Sequence, residues 1–131
     1  MIIELAIIIM LESSGNPNAH NKKSDARGLC QITQPVLEEF NHYVGSEYSA
    51  KDLFNPQINR RIARWYLGKR IPEMLKVFDM PITLDNVLIC WNAGIQYCVT
   101  ARITGKGWLP EETKQFIKRY KEVRDGYKTR G

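Results

Sequence analysis

The chain has 131 residues, 44% of them hydrophobic, and nineteen Lys and Arg against fourteen Asp and Glu leave a net charge of +5. That length supports one domain with its own core and needs no disulfide or metal, while the hydrophobic fraction and mixed charge exclude a disordered chain. The longest apolar stretch, Leu5 to Leu11 behind Ile2, Ile3 and Glu4, falls short of the roughly 20 residues of a membrane-spanning helix. It also lacks the preceding positive charge and following small-x-small site of a signal peptide, so no export signal is expected in the chain as it stands.

Helices are predicted in chain order. Met1 to Leu11 is apolar nearly all round and reads as a buried helix, ended by Ser13, Ser14 and Gly15 before Asn16-Pro17. Ser13 to Arg27 is polar and turn-forming, which predicts a long ordered loop. A helix from about Pro35 would set Val36, Phe40 and Tyr43 along one side. Asn55-Pro56 reads as an N-cap and first helical position. Behind it, Ile58, Ile62, Trp65 and Tyr66 recur at helical spacing, with Arg60, Arg61, Arg64 and Lys69 facing elsewhere, until Pro72 breaks or kinks the helix. Thr83, Asp85 and Asn86 open a helix through Val87 and Trp91 that meets Gly94. Another runs through Val99 and Ile103 to a stop at Gly105. After a loop containing Trp108, Pro110-Glu111-Glu112 begins a last helix whose acids precede Lys118, Arg119 and Lys121, as the helix dipole favours. The expectation is a mainly α single domain over residues 1–131, of about six or seven helices.

Cys30, Cys90 and Cys98 are odd in number and in no metal-ligand spacing, with only His20 and His42 to join them. They read as buried free thiols, and no metal or cofactor is expected. On one straight helix Cys90 and Cys98 would lie about 12 Å apart, beyond the reach of a disulfide. The positive balance points to an acidic partner: nucleic acid, lipid head groups or an anionic polymer.

Glu12 falls three and four residues after Ile9 and Ile8, so its carboxylate shares their apolar side at the end of the first helix. Apolar surroundings and a helix C-terminus both favour the protonated form, which is what cleavage of a glycosidic bond asks of a general acid. Periodicity alone is equally satisfied by a Glu that closes a helix in solvent.

The neighbouring sequence decides between these. Glu12-Ser13-Ser14-Gly15-Asn16-Pro17-Asn18-Ala19 resembles the E-S-x-x-N-P-x-A motif of the soluble lytic transglycosylase family, relatives of goose-type lysozyme. Gly28-Leu29-Cys30-Gln31-Ile32 is similar to its G-L-M-Q-I motif. Asn55-Pro56 with Asn59 and Tyr66-Leu67 resembles N-P-x-x-N and the following Y-L, Trp91-Asn92-Ala93-Gly94 resembles Y-N-A-G, and Glu112-Thr113 with Phe116 resembles E-T-x-x-Y. The resemblance implies a lysozyme-like fold around a substrate cleft and action on peptidoglycan glycan strands. It makes Glu12 the sole catalytic carboxylate, acid then base, in a reaction that leaves a 1,6-anhydro-muramic product. Ser13, Gln31, Trp91, Asn92 and Glu112 are then the expected substrate-binding or cleft residues.

Departures from the pattern are specific. Trp91 replaces a Tyr whose hydroxyl lies near the acid in relatives, and an indole N–H donates but does not accept. Cys30 replaces a Met, Thr33-Gln34 replaces M-P, and Phe116 replaces the final Tyr. The Ser expected near Asn21 is missing or displaced. Asp25 stands where many relatives have glycine, either to position water for hydrolysis or to stabilise the turn Ser24-Asp25-Ala26, the reading favoured here. These changes suggest a divergent, phage-type branch.

The alternatives are a hydrolytic muramidase on the same bond, a wall-binding or virion module that no longer cuts, and a nucleic-acid binder. The last rests on Arg60, Arg61, Arg64, Lys69, Arg70 and the basic stretch Lys114 to Arg130, which read instead as solvated helix faces. A monomer acting on the cell wall, reached as a fragment of a longer protein or by phage-type delivery, is expected, without nucleic acid or a membrane span.

Overall fold

Glycines, prolines and small polar residues cut the chain into helices close to where the sequence predicts. The computed structural model describes residues 3–105 and 109–130, with side chains described to residue 126. Met1, Ile2, the Trp108 loop position and the side chains of Lys128 and Arg130 lie outside the described residues. The fold is mainly α and consistent with a lysozyme-like domain, with seven α-helices among the described residues. None is long and apolar enough to cross a membrane. Contacts divide the chain into two compact units, Glu4–Tyr66 and the segment from Leu67 onward.

In the first unit, α1 spans Leu5–Ser13. It begins later than the apolar run because Glu4 is extended and its carbonyl accepts the first turn's amides from Ile7 and Ile8. Ile7 and Ile8 are fully buried, but Met10 is 42% exposed, so this helix buries one face and is not enclosed all round. Ser14 ends it in the left-handed region, its amide donating to the Met10 carbonyl at 3.1 Å. The polar stretch that follows is ordered by short bridges, His20 to Arg27 and Arg27 to Ile32, as the composition predicts.

Helix α2, Gln34–Val44, carries Pro35 in its first turn and ends at Gly45. Its buried face is Leu37 and Phe40, and Tyr43 is 54% exposed, which corrects the predicted Val36–Phe40–Tyr43 side by about one position. Tyr43 still covers the Trp65 ring, at 5.5 Å between centroids. A 3-10 turn at Ala50–Phe54 is closed by reciprocal Ser49 and Asp52 hydrogen bonds. Helix α3, Pro56–Trp65, starts as read: the Asn55 side chain accepts from the amides of Gln57 and Ile58. Arg61, Arg64 and Lys69 are exposed. The Arg61 guanidinium lies 5.6 Å from the Phe40 ring centre and donates to the Tyr48 hydroxyl at 3.4 Å.

Pro72 does not end the helical run. A π turn, Tyr66–Arg70, precedes it, and Pro72 becomes the second residue of α4, Ile71–Val77. The widened turn accommodates the missing amide and the ring that would otherwise press on the preceding turn.

In the second unit, α5 is Leu84–Ala93, capped by the Thr83 side chain accepting from the Asn86 amide. Gly94 interrupts the path and α6, Ile95–Thr104, ends at left-handed Gly105. Helix α7, Glu111–Arg130, opens with the predicted acids. Both α6 and α7 pack against α5. Val87, Leu88, Phe116, Ile117 and Tyr120 are buried here. Each large apolar side chain taken out of water contributes roughly 1.5–3 kcal/mol.

Candidate active site

Glu12 sits in the last turn of α1, half-buried, with fully buried Ile8 a turn before it. Ser13 closes that turn. Its hydroxyl donates to the Ile9 carbonyl at 3.2 Å and accepts from the Gly15 amide at 3.2 Å, so this predicted substrate residue serves the helix end. The Glu12 carboxylate acts electrostatically on Cys30, as do the Arg60 and Arg64 guanidiniums, one turn apart on α3. Helix α1 packs against α3, and these four side chains are thus one neighbourhood of the first unit. Cys30 is completely buried, and burial first, then the Glu12 charge, pushes its thiol up to about 12, against the two arginines.

The segment that carries Cys30 and Gln31 is held by Asn59. Its Oδ1 accepts from the Cys30 amide at 2.8 Å, and its Nδ2 donates to the carbonyls of Leu53 at 2.8 Å and Arg27 at 2.9 Å. Asn59 is fully buried, so three distant pieces of chain depend on one amide side chain. Gly28 is required for this fit: its φ is +81°, and a Cβ there would stand 2.1 Å from the Leu53 carbonyl oxygen and 2.3 Å from Asn59 Nδ2.

Gln31 adopts the left-handed region at φ +56°, unusual for a side-chain-bearing residue. Its Nε2 donates to the Ala19 carbonyl at 3.2 Å and the Gly28 carbonyl at 3.0 Å, which uses both amide hydrogens. Asp25 also has a positive φ, +61°. Its Oδ1 lies 2.7 Å from His20 Nε2 and 3.0 Å from Arg27, and the His20 hydrogen bond, helped by the Arg27 charge, lowers its pKa. Asn21 folds the same turn, its Oδ1 accepting from the amides of Lys23 and Ser24.

In the second unit, Trp91 and Asn92 lie in the last turn of α5 and both are half-buried. Asn92 Oδ1 accepts from the Thr113 hydroxyl at 2.8 Å. Thr113 is 1% exposed, whereas its neighbour Glu112 points outward in the first turn of α7. Sequence reasoning named Glu112 and Asn92 but assigned nothing to Thr113 or Asn59, although both stand within the quoted motifs.

The sequence model of a family described as the transglycosylase SLT domain matches residues 3–105. The chain belongs to that family. The match covers the motifs at Glu12, Gly28, Asn55 and Trp91, while Glu112 and Thr113 fall beyond its end. No curated protein and no solved structure matches the chain significantly. As an SLT domain the chain is of the lytic-transglycosylase type, whose substrate is peptidoglycan in the cell wall.

Proposed function

We propose that this SLT domain cleaves the glycosidic bond between N-acetylmuramic acid and N-acetylglucosamine with Glu12 as its only catalytic carboxylate. The observation that carries this is the half-buried Glu12 at the end of α1, fixed beside the segment that Asn59 locks in place. Protonated Glu12 gives its proton to the leaving oxygen. The sugar's own N-acetyl group stabilises the cationic centre, and ionised Glu12 then takes the proton of the muramic 6-hydroxyl as that oxygen attacks. The product is 1,6-anhydro-muramic acid, with no water consumed.

Gln31 serves this reaction as an acceptor for a sugar N–H or O–H, since its own hydrogens are held by the backbone. Asn92, oriented by Thr113, Trp91 stacking on a sugar face, Ser13 and Glu112 complete the proposed substrate contacts of a single catalytic domain. It works as a monomer on the cell wall, outside the cytoplasm or carried by a virion.

Hydrolysis is the second reading, with Asp25 positioning water. The pairing of Asp25 with His20 and Arg27 favours a turn lock over a base. Digestion of purified peptidoglycan followed by mass analysis separates the two, because the anhydro product is one water lighter. Glu12→Gln is expected to lower the rate by roughly 10²–10⁴-fold. Equal rates in wild type and variant would sink the Glu12 mechanism, and no cleavage by either would favour a wall-binding module.

A further inference from the structure

Residues 19–32 fold as a small ribbon with two legs. The Asn21 amide donates to the Ala26 carbonyl at 2.9 Å and the Gly28 amide to the Ala19 carbonyl at 2.8 Å, while Arg27 and Ile32 exchange both backbone hydrogen bonds at 3.0 Å. Two side-chain-bearing residues of the ribbon, Asp25 and Gln31, have positive φ, +61° and +56°, so contacts elsewhere must offset their strain.

The Gln31 amide hydrogens go to the carbonyls of Ala19 and Gly28. Ala19 immediately precedes His20, and Gly28 immediately follows Arg27. These neighbours are the two residues whose side chains meet on Asp25 Oδ1, His20 Nε2 at 2.7 Å and the Arg27 guanidinium at 3.0 Å. One carboxylate oxygen thus joins the legs beside the two carbonyls from which the Gln31 side chain hangs. The His20 ring is itself met edge-on by Phe54, at 6.5 Å between centroids, in the same 3-10 turn whose Leu53 carbonyl Asn59 holds.

We propose that Asp25 is a positioning residue for Gln31: by binding His20 and Arg27 it fixes the spacing of the legs, and through their carbonyls the direction of the Gln31 side chain. This rests on the reading of Gln31 as a substrate contact. The side chains of Asp25 and His20 are 55% and 38% exposed, and exposed ion pairs are individually weak, so the effect on the reaction is graded. Glycine at position 25 keeps the left-handed backbone, which makes Asp25→Gly a removal of the carboxylate without added strain. Asparagine tolerates that region too and keeps an acceptor oxygen but no charge, so Asp25→Asn should fall between wild type and Asp25→Gly.

The test takes two readouts on the full chain. In proton–nitrogen correlation spectra the Gln31 side-chain amide is assigned by its absence from Gln31→Ala. In Asp25→Gly its resonances should move toward those of a free side-chain amide and exchange faster with water, and in Asp25→Asn they should move less. The second readout is the initial rate of cleavage of purified peptidoglycan in a double-mutant cycle. Asp25→Gly should lower that rate by about 2–10-fold in an otherwise wild-type chain and leave it unchanged in a Gln31→Ala chain. Unmoved Gln31 resonances in Asp25→Gly would overturn the proposal, as would a rate loss that persists undiminished in the Gln31→Ala chain, since the carboxylate would then act on the reaction itself. A Gln31→Ala chain as fast as wild type would instead sink the substrate-contact reading of Gln31, and the resonances would still decide whether Asp25 holds that side chain. If Asp25→Gly fails to fold, Asp25→Asn carries both readouts.

Discussion

Asn59 connects Leu53, Arg27 and Cys30 through three hydrogen bonds and is fully buried, so nothing in water replaces what it supplies. Truncation leaves the Cys30 amide and the Leu53 carbonyl unsatisfied at roughly 1–3 kcal/mol each, while the Arg27 carbonyl keeps the Ile32 amide. Asn59→Ala should therefore cost at least about 2 kcal/mol in chemical denaturation and abolish peptidoglycan cleavage even in protein that remains folded. Cys30 gives a second expectation. Its thiol, normally near 9, is raised to about 12, so it is protonated in both folded and unfolded chains below pH 9. Between pH 9 and 12 the unfolded chain loses that proton first, and stability falls by up to about 1.4 kcal/mol per pH unit. Melting temperatures of wild type and Cys30→Ala, compared across that window, should shift in favour of the variant as pH rises. The position of both residues within motifs was legible in the sequence. Their roles were not, because the partners of Asn59 lie six, 29 and 32 residues away.

At the scale of elements, what was legible followed local chemistry. Asn55 and Thr83 cap helices with their own side chains, and Gly45 and Gly105 close them in the left-handed region. Misreadings arose where a neighbour decides. Tyr43 has the spacing of a core residue but lies over Trp65 on the surface, and Pro72 is absorbed by a π turn that no local residue preference announces. Gly94 is legible as a helix stop, yet not as the residue that also starts the next helix at once. Nothing lies within 4 Å of a Cβ placed at Gly94, so substitution there meets backbone strain alone. Gly94→Ala should cost about 1–3 kcal/mol in urea denaturation.

For the whole molecule, the family match spans residues 3–105 of 131, and the helical fold agrees with it. The five positive charges in excess give the chain a long-range attraction to an anionic polymer, independent of the cleavage chemistry. Screening shortens that attraction from about 10 Å at 0.1 M salt to about 3 Å at 1 M. Sedimentation with purified cell walls should accordingly show binding that weakens steadily with salt, and Glu12→Gln should bind no less tightly than wild type. Binding indifferent to salt would remove charge as the means of approach.

The bridge from Asn59 to Cys30 also bears on how the chain is made. Synthesis delivers Cys30 and Gln31 well before Asn59, and α1 with its carboxylate earlier still. Until α3 has emerged, the Cys30 amide has only water to bond with, and the Gly28 turn has no side chain to close on. The glutamate proposed as the acid therefore leaves the ribosome first, while the segment that flanks it is completed only when the middle of the chain arrives.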